Sequence, residues 1–218
     1  MKRTNTVKDT HTARDGSPVP RELVKATGTP DIVAVPRRRC LAIDGAGSPK
    51  DAAFADAVGA LYGTAYALKF TRKRAQQSDF KVGPLEGHWS ADVAPGAATR
   101  RPPASKWRWR LRIGVPAEVT KDDVERIKRD VVGKKGGKLE GSAVVAHVFL
   151  ESVPAQRVGR MLHLGPYADE PDSFELIDAT LGRAGLAPAP THVEVYLNDP
   201  SRTPPQGLKT VLLRELQR

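Results

Sequence analysis

Cys40-Leu-Ala-Ile-Asp-Gly45, with Ser48-Pro49, Phe54 and Leu61 behind it and Leu85-Glu86-Gly87-His88-Trp89 further on, has a counterpart later in the chain: Arg160-Met-Leu-His-Leu-Gly165, Pro171, Phe174, Leu181 and Val193-Glu194-Val195-Tyr196. Gly45 and Gly165, Phe54 and Phe174, and Leu61 and Leu181 are each 120 positions apart. Each pass reads as a strand closed by a Gly-rich turn, a helix, and a strand carrying a glutamate among apolar and aromatic residues. A unit that occurs twice buries its apolar face against its own copy. The repeat therefore predicts a pseudo-symmetric domain with a groove between its halves, the natural place for a ligand.

Working outward, Phe54, Ala57, Val58, Leu61, Ala65 and Leu68 recur at intervals of three and four, the spacing of a helix with one apolar stripe. Ser48 reads as its N-cap, with Pro49 at the first helical position. Trp107-Arg-Trp-Arg-Leu-Arg-Ile113 alternates without a break and is the clearest strand. Thr120 caps a connecting helix with Val124, Ile127 and Val131 on one side. In the second unit, strands are expected near 144–151 and over 156–164, 191–197 and 208–216, with a helix over 171–183 and Gly185 as its C-cap. The expected class is α+β: duplicated β-α-β-β units with a pseudo-two-fold axis form a mainly antiparallel sheet, with helices on one face and a ligand groove on the other. The boundaries are a disordered tail over 1–29 and a domain over 30–218. That domain divides into a first repeat (30–116), a connecting helix (118–135) and a second repeat (144–218). The Pro/Gly/Ala-rich stretch 92–105 reads as a lid.

The chain has 218 residues and a formal net charge of +10. The excess is uneven: residues 1–39 hold nine Lys/Arg against four Asp/Glu, so charge argues only weakly for nucleic acid. Arg37-Arg38-Arg39 and the Arg108/Arg110/Arg112 face are the best phosphate contacts, but alternating arginines usually form a salt-bridged face. Cys40 is the single cysteine, which excludes an intramolecular disulfide and a multi-thiolate metal site. No apolar run reaches the length of a spanning helix, and the N-terminus lacks an apolar signal stretch. The expectation is a cytoplasmic protein with no metal, no cofactor and no membrane partner. Gly45-Ala-Gly-Ser-Pro-Lys50 lacks the spacing and the ending of a phosphate loop.

The chemistry concentrates on a few residues. His192, Glu194 and Tyr196 share one strand parity and Val193, Val195 and Leu197 the other; the valine side is expected to pack on the helices and the polar side to face outward. A carboxylate beside a tyrosine holds a cation through charge and ring quadrupole, and a desolvated one is a better base. Glu86 is the expected counterpart of Glu194 in the first half. Trp89, Trp107 and Trp109 divide between core packing and an aromatic wall. His163 and Tyr167 flank Gly165-Pro166, where a histidine either donates a proton or binds its local backbone.

Pro84-Leu85-Glu86-Gly87-His88-Trp89, the Trp107–Ile113 strand before Pro116, His163-Leu-Gly-Pro-Tyr167 and Glu194-Val-Tyr-Leu-Asn-Asp-Pro200, in that order and spacing, resemble the GyrI-like small-molecule-binding family over about residues 30–218. The resemblance implies a central groove for lipophilic, aromatic or cationic compounds, here without a fused DNA-binding domain. Among stand-alone members it is similar to cyclopropanoid cyclopropyl hydrolases, which add water to the strained ring of DNA-alkylating natural products. Carried over, it implies Glu194 as the acidic groove residue, with Tyr167, Tyr196 and His163 orienting substrate or water and Trp107 as a wall. Glu86, Trp89 and Trp109 complete the expected ligand-binding set. His88 and Ser90 depart from the pattern, since relatives tend to have an apolar and an aromatic residue there. The alternatives are a non-catalytic protein that sequesters toxins and an inhibitor that binds a DNA-handling enzyme.

Overall fold

Two long extended segments organise the chain. The computed structural model describes residues 17–91, 103–134 and 142–217; the first part of the expected tail and most of the expected lid lie outside them. The first long segment is β1 (Asp31–Val35) and β2 (Arg38–Ala46), then come α1 (Ala52–Arg74), β3 (Leu85–Ala91), β4 (Trp107–Val115), α2 (Lys121–Lys134) and the single turn α3 (Ser142–Val145). The second long segment is β5 (Phe149–Val153) and β6 (Gln156–Leu164), followed by α4 (Glu170–Arg183), β7 (Pro188–Tyr196) and β8 (Lys209–Leu216). All strands form one antiparallel sheet in the order β1-β6-β8-β7-β3-β4-β2-β5. The duplicated β-α-β-β plan is present, with β3 and β7 paired at its centre.

The edge strands are exchanged. β1 belongs in sequence to the first unit but pairs with β6 of the second, and β5 belongs to the second but pairs with β2. One register runs through both pairings: Asp31 lies opposite Arg160, Val35 opposite Gln156, Arg38 opposite Val153 and Ala42 opposite Phe149. The two long segments therefore cross as one ladder, broken only at Pro36-Arg37 and Pro154-Ala155, where proline has no N–H to give. In the strand order β1 is first and β2 seventh, about 29 Å apart in a flat sheet at ~4.8 Å per strand. A two-residue link spans about a third of that. The sheet must curl until its edges meet, and helices of 23 and 14 residues pack on its outer side.

α1 lies over β2 and β4 and buries Leu61, Ala65 and Leu68 against Leu41, Ile43, Leu111 and Ile113. α4 lies over β6 and β8 through Ile177 and Leu181. α1 begins three residues later than its sequence signals indicate: Asp51 is the N-cap residue, and its carboxylate accepts the Ser48 N–H at 2.7 Å. The helix also runs on to Arg74, because Arg72 is buried and binds Ser78 and Glu118. Thr120 does cap α2, in a reciprocal box with Asp123. Residues 17–28, expected as tail, are packed. Val19 and Leu23 are 3 % and 0 % exposed and cover Val35, Val158, Val193, Val195, Val211 and Leu213 on the inner side of the sheet.

Gly45 is a packing glycine inside β2, opposite Trp109, and a methyl there would overlap the indole ring. The turn is made instead by Gly47, at φ +99°. Gly45→Ala is expected to cost about 2 kcal/mol, the scale of core overpacking, measured by urea unfolding; an unchanged midpoint would contradict this packing.

On the inner side, the hydrogen bond with His88 at 3.1 Å holds Glu215 down to about 2 from its ordinary 4.5. Because the folded value is lowered, the stabilisation is present above pH 4.5 and is lost as the pH falls towards 2. Glu215→Gln is therefore expected to lower stability by about 2 kcal/mol at pH 6, with the difference closing between pH 4.5 and 2 in a series of unfolding curves.

Candidate functional site

Between α1 and α4 the centre of the sheet is left uncovered by helix, and there the register of β3 and β7 decides which side chains meet. Leu85 lies opposite Tyr196, Gly87 opposite Glu194 and Trp89 opposite His192. Cross-strand partners share a face, so His192, Glu194 and Tyr196 project to the same side as Trp89, which packs in the core under α1. This reverses the expected orientation. The valine side of β7 packs under Val19 and Leu23, and the polar side faces the cleft between the helices.

Glu86 is on the opposite face from Glu194. It pairs in register with Val195 and Arg112, is 1 % exposed, and accepts a hydrogen bond from Arg38 Nη2 at 2.7 Å. It is not a groove residue, and the expected pair of groove glutamates reduces to Glu194. A strand alternates sides with period two, and the two glutamates occupy different phases of the pairing.

Glu194 is held from both sides. Tyr196 Oη donates to Oε2 at 2.6 Å, and Oε1 is 3.0 Å from His192 Nε2. Tyr196 Oη in turn accepts from Trp89 Nε1 at 3.1 Å. Gly87 lies beneath this contact; a Cβ there would sit 2.7 Å from Trp89 Nε1 and 3.0 Å from Tyr196 Oη. Around the chain Trp89–Tyr196–Glu194 the aromatic rings continue. Phe54 stacks on Trp89 at 5.8 Å, Trp107 meets Trp89 edge-on at 5.9 Å and Tyr167 meets Tyr196 edge-on at 5.9 Å. Trp109 goes to the core: it is 4 % exposed and lies edge-on to Phe54.

His163 is also placed differently from a proton donor to substrate. It is buried, with Nε2 at 3.1 Å from the Pro166 carbonyl oxygen and Nδ1 at 2.9 Å from Ser173 Oγ. A carbonyl only accepts, so Nε2 carries the hydrogen and Nδ1 accepts from the serine. Both nitrogens are engaged in fixing the Gly165-Pro166 turn, at Gly165 φ +126°. The histidine thus fixes the turn that leads into Tyr167, whose ring lies against Tyr196.

Carboxylates and burial act together on the tyrosines. Burial, then the charges of Glu170, Glu194 and Asp199, push the Tyr167 phenol up to about 12. Burial, then Glu194, raise Tyr196 well above the ordinary range. Both hydroxyls stay protonated at neutral pH, and Tyr196 donates its proton to Glu194. Burial, with smaller contributions from Tyr66 and Asp199, also raises Tyr62, which reaches the Leu85 backbone from α1. Glu170 and Asp199, whose charges act on Tyr167, do not stand out in the sequence. Glu170 opens α4, where an acid is explained by the helix dipole alone, and Asp199 sits in a loop whose prolines read as a linker. No cluster of metal-ligating side chains occurs among the described residues, and no described helix is long and apolar enough to cross a membrane.

The fold is shared with solved proteins from Listeria innocua. One, described as an uncharacterized conserved protein, is 26 % identical with a TM-score of 0.78, covering 88 % of this chain and 94 % of that one. Another, called a hydrolase, is 26 % identical with a TM-score of 0.75 and the same coverages. The C-terminal domain of EcmrR shares the fold at 9 % identity and a TM-score of 0.50, covering 87 % of this chain and 98 % of that one. No family model matches the chain, and no curated protein matches it.

Proposed function

We propose that this chain is a GyrI-like small-molecule-binding protein that takes lipophilic aromatic or cationic compounds into the cleft between α1 and α4, and that it hydrolyses cyclopropane-bearing DNA-alkylating compounds there. The observation that carries the reading is the buried chain Trp89–Tyr196–Glu194, set in a field to which Glu170 and Asp199 add the same sign. A group of aromatic rings beside carboxylates favours a ligand with apolar surface and positive or electron-poor character. The hydrolase name of the Listeria protein supports the reaction class.

In the proposed reaction, Glu194 takes a proton from water as its oxygen bonds to the cyclopropane CH2 carbon. The ring C–C bond breaks, and its electron pair moves into the conjugated carbonyl, which becomes a phenolate oxygen. Tyr167, kept protonated by burial and by the acids near it, donates a hydrogen bond to that oxygen, and the proton taken up by Glu194 passes to it through solvent. The products are a phenol and an alcohol, and strain release supplies much of the driving force. Placing one base and one donor about the ring accounts for acceleration of the order expected of positioned acid–base groups.

One geometric feature favours the second reading, sequestration: both Glu194 oxygens already have partners in the protein, at 2.6 and 3.0 Å. A carboxylate so held serves well as a fixed counter-ion. Mass spectrometry of a cyclopropanoid alkylator incubated with the protein separates the two, since hydrolysis adds one water to the compound and sequestration returns it unchanged. Glu194→Gln is expected to lower the hydrolysis rate by roughly 100-fold and to weaken binding of an aromatic cation such as ethidium by roughly tenfold. A Glu194→Gln protein that hydrolyses at the wild-type rate removes the base from the scheme. One that binds ethidium as tightly as the wild type removes the charge argument for the cleft.

A further inference from the structure

Surface helices normally carry charge on the side away from the core, and two helices of this chain do. α2 exposes Lys121, Asp122, Glu125, Arg126, Arg129 and Asp130, and α4 exposes Asp172, Glu175 and Arg183. α1 is different. Its buried stripe includes Ala57, Leu61, Ala65 and Leu68, and the stripe turned away from it, Ala55, Gly59, Gly63, Tyr66 and Phe70, is exposed and uncharged. Asp56 is the one charged residue from 52 to 68. A helix that is apolar all round belongs in an interior, yet the outer side of this one meets water. α4 is the equivalent helix of the second unit, so the fold itself accepts charge in this place.

The outer face has relief as well as polarity. Tyr66 and Phe70 are 46 % and 49 % exposed, and the rings of Tyr62, Tyr66 and Phe70 stack in succession with centroids 6.3 Å apart. Beside this row of rings runs a row of small residues at the same four-residue spacing: Ala55, Gly59 and Gly63. A Cβ at Gly59 or Gly63 would meet nothing within 4 Å, so packing inside the chain does not require either glycine. Each weakens the helix relative to alanine. A ridge of large side chains next to a groove of small ones is the relief by which helices interlock.

We infer that the outer face of α1 is the contact surface of a homodimer, in which two copies of the helix pack antiparallel about a two-fold axis between residues 62 and 63. That register sets Tyr66 opposite Gly59 of a second copy, Phe70 opposite Ala55 and Tyr62 opposite Gly63. Every ring meets a small residue, and the two-fold repeats each pairing. The charges favour a second copy in this orientation. A net charge of +10 opposes self-association in general, but this face lets two copies approach without placing like charges together. Antiparallel packing also brings the basic end of one helix, with Lys73 and Arg74, alongside the acidic start of the other, with Asp51 and Asp56, and sets the helix dipoles in opposition. A parallel pairing would put ring against ring and Lys73 against its own copy.

The test is sedimentation equilibrium. The wild-type chain is expected to show twice the monomer mass at about 100 μM, with a Kd below about 50 μM. Gly59→Glu and Tyr66→Lys are each expected to raise that Kd by roughly tenfold or more. Both positions are exposed, and the space at Gly59 is open, so each variant is expected to keep the wild-type circular dichroism. Mixing the two variants is expected to restore a dimer, because the new acid and the new base then face each other while the second Gly59–Tyr66 pairing is kept intact. A wild-type chain that is monomeric at this concentration leaves the face to a different partner and overturns the inference. A dimer that survives both substitutions overturns it too, as does a mixture no more dimeric than either variant alone.

Discussion

The crossing of the two long strands at Pro36-Arg37 and Pro154-Ala155 is the constraint from which the rest of the molecule follows. Two-residue links join strands that stand six places apart in the sheet order, so the sheet cannot be flat. Once it curls, one side becomes an interior lined by side chains and capped by residues 17–28, and the helices are confined to the outside. The helices then settle over the flanking strands, and the central pair β3–β7 is left between them as the floor of a cleft. The crossing also ties the halves together. Each unit receives its edge strand from the other, so neither completes its sheet alone, and unfolding is expected to be a single cooperative event. Exchanged edges remove much of the exposed strand surface that would invite pairing with other chains.

Much of this was legible in the sequence, and the reason differs by element. α4 was readable because its three-four spacing persists and Gly185 marks its end, and β6 because Gly165 closes it. β4 was readable from its unbroken alternation. The exchange of β1 and β5 was not, since alternation fixes that a segment is a strand but not which neighbour it chooses. The packed stretch 17–28 was hidden by its composition. Only a few of its side chains are large and apolar, but Val19 and Leu23 meet an already apolar inner surface, and a few well-covered contacts suffice.

The site was half legible. Glu194, Tyr196, Tyr167, Trp89 and Trp107 form one connected group of side chains, whereas Glu86 and Trp109 do not join it and His163 turns away to its own loop. The error over Glu86 is one of phase. Alternation tells which residues of a strand share a face, but the two faces are equivalent until a partner strand is known, and a shift of a single residue exchanges them. A motif match carries residue order and not register, so two glutamates in similar surroundings look equivalent in sequence although Glu194 pairs with Gly87. The valine side of β7 misled for a related reason: apolar residues were taken to mark the helix side, when residues 17–28 cover that face instead.

The strand β3 now has two duties that bear on one another. Facing the helices, Gly87 and Trp89 set the Trp89–Tyr196–Glu194 chain; facing inward, Glu86 and His88 bind Arg38 and Glu215. Consecutive residues of a strand cannot shift independently, because a displacement that opens one face moves the other. The bond of Arg38 to Glu86 reaches from β2 across β4 and so fixes the height of β3 from the inside. On the outside, the bare backbone at Gly87 is what lets Trp89 Nε1 reach Tyr196 Oη. The Trp89–Tyr196–Glu194 chain of the cleft is thus clamped from the interior, through a buried ion pair rather than through the helices. This gives a physical reason for charge to persist where the other half of the same sheet has valine.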